Sequence, residues 1–179
     1  MRTEGTEGAE RRDEPPPGVY RIDPDASSVR FTTRAMFGLL PVRGTFSIDH
    51  GQISIAETDA DDGSEVDAVI RAASFASGIA RRDEHVRSAD YLNAAAHPEI
   101  RFSGRGPRHG TAGATVHGEL TVLGVTRPMV LTLGAVAADG TRLTVGATAV
   151  VDRYAFGMTK AKGMTGRRLN IDLEVVAVR

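Results

Sequence analysis

The sequence predicts an all-β domain of about eight antiparallel strands joined by short connections. Apolar and polar residues alternate along most of the chain from Tyr20 onward, most regularly in residues 169–175. Such alternation places one face of each strand in the core and the other in water. Glycine-containing turn signals separate the alternating runs. Strands in this number usually close into a barrel or pack as a sandwich, because both arrangements shield unpaired edges.

Four turns are predicted between the alternating runs. Asp62-Gly63 and Asp139-Gly140 are suited to tight hairpins, because both central positions of such a turn can take a positive φ. The second pair lies between two alternating runs and is the stronger signal. His50-Gly51 and the glycine-rich residues 104–113 mark further turns.

Two segments depart from the alternation. Residues 82–90 carry apolar side chains at near-helical spacing, which predicts one short helix there. Residues 1–17 are charged, rich in Gly and Pro and nearly free of large apolar groups, so they bury too little surface to offset their ordering entropy. We therefore predict a disordered tail over 1–17 and one folded domain over 18–179.

Composition excludes several classes of function. The formal net charge of -1 gives no bulk attraction to nucleic acid or to an anionic membrane. No run approaches the roughly 18 apolar residues of a membrane helix, and no secretory signal is present, so we expect no stable membrane insertion and a cytoplasmic location. The chain has no cysteine, and its five histidines lack metal-ligand spacing. No metal, cofactor or nucleic-acid partner is expected.

Several motifs together resemble one known family. Residues 82–92 (RDEHVRSADYL) with 97–102 (HPEIRF), residues 118–128 (GELTVLGVTRP), residues 152–157 (DRYAFG) and the opening 20–24 (YRIDP) occur in the order and at the spacing of the YceI-like family. These elements span nearly all of the folded chain. The resemblance implies an extended eight-stranded antiparallel lipocalin-like barrel whose interior binds a polyisoprenoid or similar long-chain lipid, without established catalysis.

The chain differs from that family at three positions. Tyr20 stands where the family often has Trp, and Ala26 and Ala35 stand where it often has His. The loss of two imidazoles bears on which head group is tolerated.

The alternation also predicts which residues point inward. In a solid barrel they would form a core, and the resemblance implies that they line a ligand cavity: Val29, Phe31, Phe46, Ile70, Phe102, Leu120, Val122, Leu131, Leu133, Val145 and Leu173. Arg34, Arg82 and Arg153 are candidates for holding a head group by charge alone.

Two kinds of function remain at this stage. The first is a binding protein that carries, stores or sequesters an isoprenoid-type lipid. The second is a lipocalin-like barrel enzyme, an isomerase or hydratase, which would need an inward-facing titratable pair. We find no such pair, so no catalytic residue is predicted and the binding protein is favoured. The sequence leaves the assembly open between a monomer and a homodimer.

Overall fold

The structure, a computed structural model, describes residues 14–57, 63–111 and 113–179. Strands dominate these residues, with one α-helix, α1 (Ala80–Arg87), and two short 3₁₀ helices, Ala72–Ser74 and Arg153–Phe156. The strands in chain order are β1 (Gly18–Ile22), β2 (Ser28–Ala35), β3 (Leu40–Phe46), β4 (Ile48–Ile55), β5 (Ser64–Arg71), β6 (Glu99–Gly110), β7 (Gly113–Val122), β8 (Val125–Asp139), β9 (Arg142–Asp152) and β10 (Arg168–Val178).

Eight strands close an antiparallel barrel, as predicted. β1 and then β4 to β10 are hydrogen-bonded neighbours in order, and the ring closes where β1 pairs with β10. β2 and β3 are the two extra strands. β2 pairs with β10 beside β1 and in the same direction, and β3 pairs with β2 as β4 pairs with β1. β1 with β2, and β3 with β4, are therefore two long strands that are each interrupted once.

A polar turn makes the first interruption. The Asp23 carboxylate accepts hydrogen bonds from the backbone N–H groups of Asp25 (3.0 Å) and Ala26 (3.2 Å). Ser27 then joins the turn to β10, because its hydroxyl accepts from the Val176 N–H at 3.0 Å. Local side-chain bonds of this kind compete with the strand ladder and break it.

The helix α1 begins two residues before the predicted range and ends three residues before its end. The polar side chains on α1 bind the segment that precedes the helix. Asp83 accepts the Ser77 N–H at 2.9 Å and the Ser77 hydroxyl, while Arg87 donates to the Phe75 carbonyl. These bonds fasten α1 across one end of the barrel.

The predicted β8–β9 hairpin is confirmed. Asp139 pairs with Arg142, so the loop is Gly140-Thr141, one residue later than the dipeptide suggests, and Gly140 has φ +56°. The other tight hairpin was predicted at Asp62-Gly63, and Asp62 lies outside the described residues.

The turn predictions at His50-Gly51 and across 104–113 are wrong, except for the last residues of the second range. Gly51 lies inside β4, and a Cβ placed there would be 2.5 Å from the Asp67 carbonyl oxygen of β5. Gly104 lies inside β6, where a Cβ would be 2.8 Å from the Phe102 ring. Both glycines permit a close approach within the sheet rather than a reversal of the chain.

Candidate functional site

An apolar cavity of about 1370 Å³ fills the barrel interior. It exceeds the ~300–1,000 Å³ that is usual for small-molecule sites. Side chains from every described strand line it, because alternate residues of each strand point inward.

The cavity is closed at the end that α1 covers. The side chains of Leu92, which follows α1, and Met158, which follows the second 3₁₀ helix, line it there and are both buried. We call this the closed end.

The cavity opens at the opposite end, which we call the mouth. Residues beside the β6–β7 turn and the β4–β5 connection line the mouth, together with part of the tail. The polar and charged members of the described lining all lie at this end: Glu14, Glu57, Ser64, Glu65 and His109. Glu65 forms an ion pair with Arg105 of the neighbouring strand at 2.8 Å. The interior is thus apolar along its length and polar at one end.

Glu14–Pro17, which we call the strap, lies across the mouth. The hydroxyl of Tyr20, whose side chain is fully buried, donates to the Pro16 carbonyl at 2.7 Å. Arg179 Nη1 donates to the Pro17 carbonyl at 3.0 Å, and its guanidinium lies 5.8 Å from the centre of the Tyr20 ring. The strap falls within the tail that the sequence predicts to be disordered. The rest of that tail, residues 1–13, is outside the described residues.

Ten of the eleven predicted inward residues line the cavity. They come from eight strands, β2, β3 and β5 to β10. These residues are Val29, Phe46, Ile70, Phe102, Leu120, Val122, Leu131, Leu133, Val145 and Leu173.

Phe31 lies inside the barrel but belongs to an aromatic cluster instead. Its ring stacks on Phe75 at 5.1 Å between centroids and contacts Phe46 at 5.8 Å. The ring also covers Gly44, where a Cβ would lie 2.5 Å from it. Phe75 precedes α1 in an irregular segment, so the alternation of the strands gave no sign of this partner.

The three arginines proposed for a head group all lie outside the cavity lining. Arg34 is exposed on β2 and donates to the Gly38 carbonyl at 3.2 Å. Arg82 on α1 donates from Nε to the Ser77 hydroxyl at 2.8 Å. Both belong to the closed end, far along the barrel from the mouth.

Arg153 has a structural role at the same end. Only 3% of the residue is exposed, and its guanidinium donates to the carbonyls of Gly166 (2.8 Å), Met158 (2.6 Å) and Thr165 (3.0 Å). The Tyr154 ring lies 4.9 Å from the guanidinium carbon. Arg153 therefore organises the loop between the second 3₁₀ helix and β10, because its fork of donors satisfies that loop's carbonyls.

Sequence reasoning missed a second set of lining residues. Most of them share the inward parity of residues that were identified, as Leu169, Ile171 and Val175 do with Leu173 on β10. Alternation was the signal that could have found them. The other members include Ile22, Ile48, Ile53, Ile55, Val66, Ile100, Val116, Met129, Leu143 and Val151.

Both aspartates with a clearly lowered pKa lie outside the cavity. Hydrogen bonds from Arg167 (2.7–3.0 Å) to Asp152 outweigh the effect of burial and lower the pKa of its carboxyl. Burial opposes the charge of Asp83, yet hydrogen bonds from Ser77 and the nearby Arg87 and Arg82 still lower its pKa. In the part of the chain that the structure describes, no three His, Asp or Glu side chains are placed to hold a metal ion. No helix in that part is long and apolar enough to cross a bilayer.

Comparison with sequence families identifies relatives over nearly the whole folded chain. The family model described as YceI-like domain matches residues 20–177. A UPF0312 protein of Pseudomonas putida is 31% identical over 167 residues, which cover 89% of this chain and 86% of the relative. A UPF0312 protein of Pseudomonas syringae pv. syringae is 32% identical over 142 residues, covering 76% of this chain and 69% of the relative.

Solved structures share the fold. BcnA of Burkholderia cenocepacia superposes with a TM-score of 0.71 at 23% identity, covering 88% of this chain and 99% of BcnA. A polyisoprenoid binding domain from Saccharophagus degradans gives a TM-score of 0.65 at 16% identity, with 89% of this chain and 97% of that domain covered.

Proposed function

Because this chain belongs to the YceI-like domain family, we propose that it binds one long apolar molecule of isoprenoid type in the barrel, with any polar group at the mouth. The observation that carries the proposal is the distribution of polarity in the cavity. Every charged or polar side chain of the described lining is at the mouth, and the walls beyond it are apolar.

This distribution selects for an apolar chain on energetic grounds. Each buried CH₂ group contributes about 0.8 kcal/mol, so ten of them contribute roughly 8 kcal/mol before the cost of immobilising the ligand. A polar group carried into the walls would lose its hydrogen bonds to water without replacement, which costs a few kcal/mol. A ligand with an apolar chain and one polar end fits both conditions.

The isoprenoid class is supported by fold similarity. The Saccharophagus degradans domain, which shares the fold, is described as polyisoprenoid binding. Binding rather than catalysis is supported by the same lining, because a barrel isomerase or hydratase needs an acid and a base beside the bound chain. Carriage, storage and sequestration of a lipid all require this binding step. The cytoplasmic location and the homodimer stay predictions.

The first experiment identifies the ligand. The full chain is purified under mild conditions, its mass is measured under native conditions, and organic extracts are analysed by mass spectrometry. We expect a prenyl lipid in near-stoichiometric amount. Recovery of only short or polar molecules would contradict the isoprenoid assignment.

The second experiment tests whether the cavity is where the lipid binds. Leu133 lines it, whereas Val130 on the same strand, β8, is exposed on the outside. We expect Leu133→Arg to weaken binding of a fluorescent polyprenyl analogue at least tenfold, and Val130→Arg to leave it unchanged, because a charge in the cavity removes the apolar surface that the ligand needs.

Leu133→Trp and Leu133→Ala separate binding from folding. Trp fills part of the cavity, so we expect a folded protein with weaker binding. Ala enlarges the cavity, and the free energy of unfolding should fall by about 2 kcal/mol, the low end for a buried Leu. Circular dichroism melting accompanies each titration. A wild-type chain that binds no apolar probe, or a folded Trp variant that binds like the wild type, would overturn the proposal.

A further inference from the structure

We propose that a surface at the closed end docks peripherally on an anionic lipid membrane. The surface consists of the β2–β3 hairpin, residues 34–43, and the loop 157–168, and we call it the docking tip. This inference is independent of the ligand in the cavity, because the mouth lies at the other end of the barrel.

The docking tip exposes large apolar side chains to solvent. Phe37 and Leu39 in the hairpin are each 77% exposed, well above the other exposed large apolar residues of the described chain. Leu40, Met36 and, from the loop, Met164 are exposed as well. A cluster of several large, exposed apolar side chains is characteristic of a binding surface.

The two segments form one continuous surface. The Met36 N–H donates to the Met164 carbonyl at 2.6 Å, and the Phe37 N–H donates to the Gly163 carbonyl at 3.2 Å. Gly166 N–H donates back to the Arg34 carbonyl at 2.6 Å. The apolar side chains at the apex are therefore held in place by backbone bonds, without being buried themselves.

The hairpin apex adopts an uncommon backbone conformation. Met36 and Phe37 have φ of 52° and 56°, a region that bulky L-residues rarely occupy, and Gly38 follows at 88°. No burial of the Phe37 side chain compensates for this conformation. Strain of this type is characteristic of functional sites.

Cations surround the apolar apex. The two segments contain six basic residues and no Asp or Glu: Arg34, Arg43, Lys160, Lys162, Arg167 and Arg168. Arg167 is bound to Asp152. Within residues 14–57, 63–111 and 113–179, no carboxylate forms an ion pair with Arg34, Arg43, Lys160 or Lys162. The local charge is thus strongly positive although the whole chain has a net charge of -1.

This combination fits an anionic membrane surface. Exposed Phe, Leu and Met side chains can enter the boundary between head groups and acyl chains, while Lys and Arg remain among the phosphates. A second copy of the same surface is a poor partner, because a symmetric contact would bring two sets of positive charges together. Arg34, considered as a head-group residue from sequence, lies here and would meet lipid phosphates at the membrane.

Vesicle co-sedimentation of the full chain tests the proposal. We expect at least about tenfold stronger binding to vesicles of phosphatidylcholine mixed with phosphatidylglycerol than to phosphatidylcholine alone, and a loss of binding as salt is raised. Phe37→Ser with Leu39→Ser, and separately Lys160→Gln with Lys162→Gln, should each reduce binding about tenfold.

Matched control variants lie at the other end of the barrel. Val19, 51% exposed on β1, and Arg142 at the start of β9 offer an apolar and a basic side chain near the mouth. Val19→Ser and Arg142→Gln should leave vesicle binding unchanged. Melting curves confirm that each variant is folded.

Three results would overturn the proposal. Equal binding to both vesicle types would show that the protein does not recognise an anionic membrane. Docking-tip variants that bind vesicles as strongly as the control variants would exclude the docking tip as the surface that contacts the membrane. A wild-type dimer in sedimentation velocity that ignores vesicles, and that dissociates in the Phe37→Ser, Leu39→Ser variant, would assign the surface to a second copy. Loss of polyprenyl binding affects none of these measurements, so the two proposals fail separately.

Discussion

Asp83 is a buried carboxylate that links α1 to the barrel. Only 7% of the residue is exposed, and its oxygen accepts from both the N–H and the hydroxyl of Ser77. Arg82 and Arg87 add favourable charge. Together these interactions outweigh the effect of burial, so the pKa of Asp83 is lowered in the folded state.

The lowered pKa predicts a dependence of stability on pH. Above the unfolded-state pKa, about 3.9, both states are ionised and the stabilising contribution is complete. As pH falls from about 5 toward the folded pKa, the unfolded chain takes up the proton first, so the free energy of unfolding decreases. Asp83→Asn should lower stability at neutral pH and flatten this acid slope, in urea unfolding measured between about pH 3 and 7.

Ser77→Ala provides the companion test. It keeps the carboxylate but removes the hydroxyl donor, so the pKa of Asp83 should rise and the acid slope should weaken only in part. Parallel slopes in the wild type and Asp83→Asn would show that other carboxyls account for the acid dependence.

At the residue scale, alternation placed ten of the eleven predicted inward residues correctly, since the parity of a strand is a local property. It did not predict the bonding of polar residues. Arg153 was a head-group candidate by its charge, yet its three acceptors are carbonyls of residues 158, 165 and 166. No side-chain pattern in the sequence encodes acceptors on the backbone of a loop.

The β8–β9 hairpin depends on one backbone conformation. A Cβ at Gly140 would meet no atom within 4 Å, so a substitution there costs only the conformational energy of φ +56°. Gly140→Val should lower the free energy of unfolding by roughly 1 kcal/mol or more, because a β-branched residue is strained at positive φ. Denaturant unfolding at neutral pH measures the change.

Thr141→Val is the matched control for that hairpin. It introduces the same side chain at the next residue, which has no positive φ. We expect a change within about half a kcal/mol, as for most exposed substitutions. If the two variants were equally stable, the conformation of Gly140 would not limit the turn.

Glycine explains where the prediction of elements succeeded and failed. Gly140 marks a true turn, whereas Gly51 and Gly104 lie inside strands that approach other atoms closely. A single sequence does not distinguish these cases, because the close approach depends on the fold: Gly51 faces the Asp67 carbonyl of β5, and Gly104 is covered by the Phe102 ring.

At the scale of the whole molecule, the sequence predicted a barrel with an apolar interior but not which end is open. The three candidate arginines would have placed the ligand's head group at the end that α1 closes. The cavity opens at the other end, beside Glu57 and Glu65. Barrel ends are defined by connections distant in sequence. The docking tip was missed for the same reason, because its two segments are more than a hundred residues apart.

The strap at the mouth should control how fast a bound molecule leaves. It lies in the cavity opening and is held by Tyr20 and Arg179, so removing it widens the exit without altering the walls. The composition of residues 1–13 gives them very little apolar surface to bury. Deletion of 1–13 should therefore leave the release rate of a polyprenyl probe and the melting temperature unchanged. Deletion of 1–17 should raise that rate about tenfold, which corresponds to roughly 1.4 kcal/mol.

Tyr20→Phe keeps the buried ring and loses only the donor to Pro16, so it should give an intermediate rate. Stopped-flow displacement measures all three variants, and equal rates for the two deletions would show that the strap does not limit release.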